Sequence, residues 1–386
     1  MQPLPNEGAF SLPIERQAET CYCPVMTDLV RRHYEIYPYP SYPLLASVRR
    51  CDTYALNIDA LWARFNGRLP NHAERRILIA GSGSFSPYPF SVANPDCGIT
   101  ALDLSCASLK RARQHCLLHA RRNVTFSQGD LLDPASASGR FGLIDAYGVL
   151  HHLDDPAAGL LALADRLTDH GVLRIMVYSR YARFQEESIR RAFRLLKVTD
   201  AATARRLLSR ARPGSRLREY ANASTEAAFM SGLADALLHP CVHTFKIDQL
   251  MALVQRSGLE PLLFAHHGAR QDVGQEVARI RELETARQSP GNFVLYLGRN
   301  VSGPCNGESN AMLALNPCLR GCVTPLRLSA VRLPPRLGRD NPALGFRERS
   351  VLRRFTRPLP MEKAGDIPAD LLAVCIDSLF LLKYFP

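Results

Sequence analysis

The run Arg76-Ile77-Leu78-Ile79-Ala80-Gly81-Ser82-Gly83-Ser84 decides the architecture of this chain. Its first five residues are mostly branched and apolar, and read as a strand buried on both faces. That strand runs straight into a Gly-x-Gly turn, where glycine permits a tight bend and lets backbone N–H groups approach a ligand with no Cβ in the way. Further short β-rich runs fall at 99–102, 124–127, 143–147, 172–178, 261–265 and 292–297. Amphipathic stretches such as 105–121 and 156–167 separate the first five. Strands alternating with helices predict parallel crossovers and a doubly wound α/β sheet. The pattern leaves the direction of the last two strands open.

The strand ends carry the polar groups. About twenty residues beyond the glycine turn, the second strand ends in Asp103, where a carboxylate accepts hydrogen bonds from both hydroxyls of a ribose. After the third strand, Gly129-Asp130-Leu131-Leu132 sets a second carboxylate on the same sheet edge, within reach of an adenine amino group. The fourth runs into Tyr147-Gly148-Val149-Leu150-His151-His152-Leu153. Four consecutive strands each bring glycine or a polar group to one edge, which suits a single adenosine with an amino-acid tail.

By the order and spacing of these motifs, residues 25–300 resemble the class I S-adenosylmethionine-dependent methyltransferases. The resemblance is nearest to a bacterial subgroup often fused to tetratricopeptide repeats. Its I-A-G-x-G turn is matched by Ile79 to Gly83, its D-L-S-x-x-S-L by Asp103 to Leu109, and its G-V-L-H-H-L by Gly148 to Leu153. An upstream Y-E-x-x-P-Y-P motif is matched by Tyr34 to Pro40, and a Tyr-Ser pair after strand five by Tyr178-Ser179. The resemblance implies a Rossmann-like seven-stranded sheet with an antiparallel last strand and S-adenosyl-L-methionine as cofactor. By carry-over, Gly81 and Gly83 pass the methionine portion, Asp103 holds the ribose and Asp130 meets the adenine with Leu131 packed on its ring, while Ser82, Leu104 and Gly148 are further cofactor-binding candidates. The Tyr39 neighbourhood closes over the cofactor, with an aromatic face near the sulfonium. Phe85 stands where many class I enzymes have a third glycine. With Pro87 and Pro89 it is expected to reshape the methionine end, and a catalytically degenerate scaffold protein is the alternative reading. A dinucleotide oxidoreductase is disfavoured, because no second nucleotide-binding half is evident.

Methyl transfer from a sulfonium needs alignment of the nucleophile and exclusion of water, and a protonated acceptor also needs a base. His151, His152 and Tyr147 stand where an acceptor approaches, and an ordinary imidazole pKa suits a base. The competing reading has both histidines packed beneath the following helix. His239 and His243 are further candidates on the same terms. The Asn-Pro-Pro-Tyr signature of nucleobase amine methylation is missing, which weighs against a nucleic-acid acceptor.

The chain has 386 residues, enough for two or three domains. We divide it into a helical and aromatic N-terminal lid (1–70), the methyltransferase region (71–300) with an Arg-rich helical insert (184–245) as substrate cap, and a basic C-terminal accessory region (301–386) that ends in an apolar helix over 369–384. Net charge is +12, from 48 Lys and Arg against 36 Asp and Glu, and favours anionic partners. The methyl acceptor is unidentified, with an anion, a protein or a peptide as its expected classes. No apolar run is long enough to span a membrane, and no basic-then-apolar leader stands at the N-terminus, so a cytoplasmic location is expected. Eleven cysteines without an export signal read as reduced, buried hydrophobes. The pairs Cys21/Cys23 and Cys318/Cys322 lack ordinary zinc spacing, and no metal is expected.

Overall fold

A computed structural model describes residues 24–307, 310–324 and 329–386. Its centre is a seven-stranded sheet of β1 (Arg76–Ala80), β2 (Gly98–Asp103), β3 (Val124–Gln128), β4 (Phe141–Tyr147), β5 (Leu167–Val177), β6 (Glu260–Phe264) and β7 (Phe293–Gly298), in the order β3-β2-β1-β4-β5-β7-β6. Strands β1 to β5 pair in parallel, while β7 runs antiparallel to both β5 and β6. The α/β class and the antiparallel last strand are thus as expected. Strand order reverses between β1 and β4, the place where open α/β sheets bind ligands.

The two-residue period of β1 sorts its side chains between two cores. Ile77 and Ile79 face one layer and Leu78 and Ala80 the other. The second layer is covered by α5 (Pro156–Arg166), α10 (Ile247–Arg256) and α11 (Val273–Thr285). Asp155 starts α5 by accepting hydrogen bonds from the N–H groups of Ala157 and Ala158, with Pro156 in the first turn.

The first layer gathers the segment before β1 and the C-terminal strands and helices. The turn at 50–56 and helix α2 (Ile58–Asn66) place Tyr54, Leu61 and Trp62 on the sheet, and the Trp62 indole N–H donates to the Gly142 carbonyl at 2.9 Å. Strands β8 (Met312–Leu315), β9 (Leu359–Pro360) and β10 (Leu381–Tyr384), with α12 (Phe346–Arg354) and α13 (Ala369–Asp377), bury their apolar residues in that same cluster. The basic C-terminal region is therefore continuous with the core beneath β1.

The apolar helix expected over 369–384 is shorter. Helix α13 stops at Asp377, Leu379 adopts φ +59°, and the Phe380 N–H returns to the Cys375 carbonyl at 2.8 Å. That left-handed cap carries leucine in place of the usual glycine, so nothing in the sequence announces it. Residues 381–384 then pair antiparallel with β8.

Helix α1 (Pro24–Ile36) docks beside α4 (Cys106–Leu118), and α3 (Pro87–Ala93) follows the glycine turn. The insert after β5 forms α6 (Phe184–Leu195), α7 (Ala201–Arg210), α8 (Arg216–Ala223) and α9 (Met230–Leu238), packed around Phe193, Leu208, Tyr220 and Leu233. Most of its arginines face solvent, while Arg190 is buried. Among the described residues, no helix is long and apolar enough to cross a membrane. Eight of the nine described cysteines are buried and none is in a disulfide; Cys21 and Cys23 lie outside the described residues.

Because the Phe380 ring is fully buried in the shared core, Phe380→Ala is expected to destabilise the whole protein by about 3–5 kcal/mol. The check is denaturant unfolding followed by the Trp62 fluorescence of α2, where an unchanged midpoint would show that the C-terminal region folds apart from the sheet.

Candidate functional site

The glycine turn and Asp103 form one unit. Gly81 and Gly83 both take left-handed backbone, φ +62° and +57°. A Cβ on Gly81 would stand 2.4 Å from the Val149 side chain, and one on Gly83 would stand 2.6 Å from the Tyr39 carbonyl oxygen. The Gly83 N–H donates to Asp103 Oδ2 at 2.7 Å and the Ser105 N–H to Oδ1 at 2.8 Å. Burial pushes the Asp103 carboxyl up to about 6; the two N–H bonds pull the other way, and Glu35 adds to the rise. Each oxygen keeps a further lone pair for a ligand hydroxyl.

The N-terminal aromatic motif is a strap across this unit. The Glu35 carboxylate accepts the N–H groups of Cys106 and Ala107, 2.5 and 3.1 Å away, and so caps the start of α4. Ser105 Oγ donates to the Tyr34 carbonyl at 3.2 Å, and the Ser84 N–H donates to the Tyr39 carbonyl at 3.1 Å. Ser84 Oγ also bonds the Pro40 carbonyl. Both turns that leave β1 and β2 are thus tied to residues 34–40.

The next two strand ends complete the rim. Asp130 Oδ1 accepts the Leu132 N–H at 2.8 Å, and Leu131 is buried beside it. At the end of β4, Tyr147 stays half exposed with the Arg174 guanidinium 5.0 Å from its ring centroid, and Gly148 takes φ +85°. A single cavity of about 1260 Å³ joins these turns. It is larger than the pocket of one drug-sized ligand, leaving room for a cofactor and an acceptor. Tyr39, Gly81, Ser82, Gly83, Asp103, Leu104, Asp130, Leu131, Tyr147, Gly148 and His152 all line it. His151 does not; it is buried, with its ring stacked 3.7 Å from that of Tyr178. Phe85 turns away from the cavity onto Tyr42 and His115.

At its far end the cavity is walled by Tyr34, Tyr178, Arg183, Glu226 and Asp235. The Tyr34 hydroxyl donates to Asp235 Oδ1 at 2.8 Å and the Tyr178 hydroxyl lies 3.5 Å from Oδ2. Burial raises the pKa of Asp235, with the Tyr34 bond opposing it. Asp235 and Glu226 escaped the sequence reading; the available signal was one carboxylate inside the otherwise apolar run of α9. His152 Nδ1 bonds the Cys241 carbonyl at 2.9 Å, which leaves the ring's lone pair on Nε2. Burial holds this imidazole at a pKa of about 3, so it is neutral at physiological pH.

The donor atoms of His152, Asp235 and His239 lie within 4.8 Å of one another. The Cys241 N–H, however, donates to His239 Nδ1 at 3.2 Å. The proton of neutral His239 therefore sits on Nε2, and the ring offers the cluster an N–H where a metal needs a lone pair. His243 donates its backbone N–H to the His151 carbonyl and is absent from the cavity wall.

The profile of the Methyltransferase domain family matches residues 80–173, from the glycine turn to β5. An uncharacterized protein of Synechococcus sp. is 28% identical over 327 residues, covering 77% of this chain and 78% of its own length. Among solved structures, PKMT2 from Rickettsia typhi superposes with a TM-score of 0.53 at 14% identity, over 89% of this chain and 77% of that one. The same protein in complex with AdoHcy gives 0.50 at 15% identity, over 90% and 77%. At these identities the structural likeness speaks to the fold. The profile match spans the glycine turn to β5, the part of the sheet that carries the turns described above.

Proposed function

We propose that the chain is an S-adenosylmethionine-dependent methyltransferase acting on an O or N atom of its acceptor. The observation that carries this is the single cavity uniting the turns of four consecutive strands, with the fixed carboxylate of Asp103 and the Asp130-Leu131 pair on its wall. That donor set fits a nucleoside: one anchored carboxylate for two ribose hydroxyls, and a second carboxylate beside an apolar side chain for an amino-bearing ring. When bound, the cofactor supplies a methyl group activated on a sulfonium.

The chain's own residues bind, align and dry the site. Gly81 and Gly83 pass the amino-acid portion, Asp103 holds the ribose and Asp130 meets the adenine, with Leu131 against its face. Tyr39 and the strap behind it cover the cofactor. Tyr147 and His152 face the acceptor, and His152 Nε2 accepts a hydrogen bond from it. His151 supports His152 and Tyr178 from below and touches neither ligand. Such alignment in a closed site is where methyl transfer gains most of its rate.

S-adenosylhomocysteine titrated calorimetrically is expected to bind with one-to-one stoichiometry, and Asp103→Asn to weaken it by about 3 kcal/mol, a factor of about 100 in Kd. Absence of binding to the native chain would refute the proposal. Only ionised Asp103 accepts from both hydroxyls. With its carboxyl at about 6, affinity should therefore hold above pH 7 and fall roughly tenfold by pH 5, and Asp103→Asn should flatten that profile. Gly83→Ala, whose Cβ would meet the Tyr39 carbonyl, is expected to unseat the strap, seen as faster proteolysis within residues 37–47 together with weaker binding.

A further inference from the structure

Building on the methyltransferase reading, we propose that Asp235, with His152 Nε2 and the surrounding tyrosine rings, receives a protonated aliphatic amine of the methyl acceptor. Asp235 lines the cavity yet is only 5% exposed, and the neutral hydroxyls of Tyr34 and Tyr178 are its hydrogen-bond donors. Among the described residues, no arginine or lysine pairs with it. Arg183 is spent on Glu226, at 2.8 and 3.2 Å, and on Glu186 at 3.2 Å. Arg190 is spent on the carbonyls of Ala236 and His239 and on Glu187. The neighbouring imidazoles supply no charge either, since burial holds His33 at about 4 and His152 at about 3.

A carboxylate buried without an ion-pair partner is costly, and burial raises its pKa; a cation that arrives with the ligand would offset that cost. An ammonium group has three donors and no acceptor. Asp235 and the lone pair on His152 Nε2 offer it acceptors of the right kind, and the rings of Tyr34 and Tyr39 line the cavity as groups that attract a positive charge, the Tyr178 ring being already taken by His151 and the Arg183 guanidinium.

The same ammonium chemistry has two sources, the acceptor and the amino-acid tail of the cofactor. The amino-acid portion of the cofactor is assigned to the Gly81 and Gly83 turn, which leaves Asp235 for the acceptor. Tyr34 receives Ser105 Oγ on its backbone carbonyl, beside the Asp103 turn, and reaches Asp235 with its hydroxyl. The length of a tyrosine side chain therefore separates Asp235 from the turn assigned to the ribose.

The test uses n-butylamine, with n-butanol and butyrate as controls, in saturation-transfer NMR on the full chain loaded with S-adenosylhomocysteine. The native protein is expected to bind the amine and neither control, and Asp235→Asn to lose at least tenfold in amine affinity with less than a twofold change for S-adenosylhomocysteine. Three results would overturn the proposal. One is no amine binding by protein that does bind S-adenosylhomocysteine; another is equal amine binding by Asp235→Asn. The third is a matching loss of S-adenosylhomocysteine affinity in Asp235→Asn, which would assign the carboxylate to the cofactor. Failure of the native chain to bind S-adenosylhomocysteine would instead strike the methyltransferase reading itself. Should Asp235→Asn not fold, Tyr34→Phe removes a hydrogen-bond donor to the carboxylate. It is expected to weaken amine binding two- to fivefold, and an unchanged amine affinity would again contradict the assignment.

Discussion

Two backbone N–H groups aimed at one carboxylate organise this protein. Gly83 and Ser105 grip opposite oxygens of Asp103, so the turn after β1 and the turn after β2 hold a single geometry. The grip is possible because Gly83 adopts left-handed backbone and comes so close to Tyr39 that a side chain would collide with it. Charge-assisted bonds of this kind are among the stronger hydrogen bonds in proteins, and here they also preorganise a ligand anchor. Glu35 and Tyr34 extend the unit by fixing α1 to the start of α4, so the same few residues that hold the sheet edge also roof the cavity.

The cost of that arrangement is a buried negative charge, and the molecule repeats it at the other end of the cavity. Asp103 answers with two backbone donors, while among the described residues Asp235 is bonded by tyrosine hydroxyls only. The contrast gives the cavity two unlike ends. Asp103 is already largely satisfied and suits neutral hydroxyls; Asp235, with no ion-pair partner among the described residues, suits a cation.

Much of this was legible before any coordinates. The two-residue period of Arg76 to Ala80, the twenty-residue step to Asp103 and the repeated strand-end motifs are local signals, and they foretold the sheet and the turns that meet on its edge. The signal failed where the decisive contacts are non-local. Asp235 is remote in sequence from Tyr34, to which it bonds, and nothing near it marks it except an apolar run it interrupts. The Leu379 cap breaks a helix with a residue that ordinarily extends one. Residues 301–386 read as an accessory region because Pro, Gly, Asn and basic residues rise there, and the core that its apolar residues share with Tyr54 and Trp62 appears only once the chain is folded.

The central claim is that the turns of β1 to β4 form one nucleoside-binding edge with the acceptor's place beyond Tyr34. A crystal structure of the complex with S-adenosylhomocysteine measures this most directly. The account predicts both ribose hydroxyls on Asp103, the adenine beside Asp130 and Leu131, and the thioether sulfur facing the space between Tyr147 and Tyr34. A nucleoside bound elsewhere, or an adenosine lying against Asp235, would contradict it.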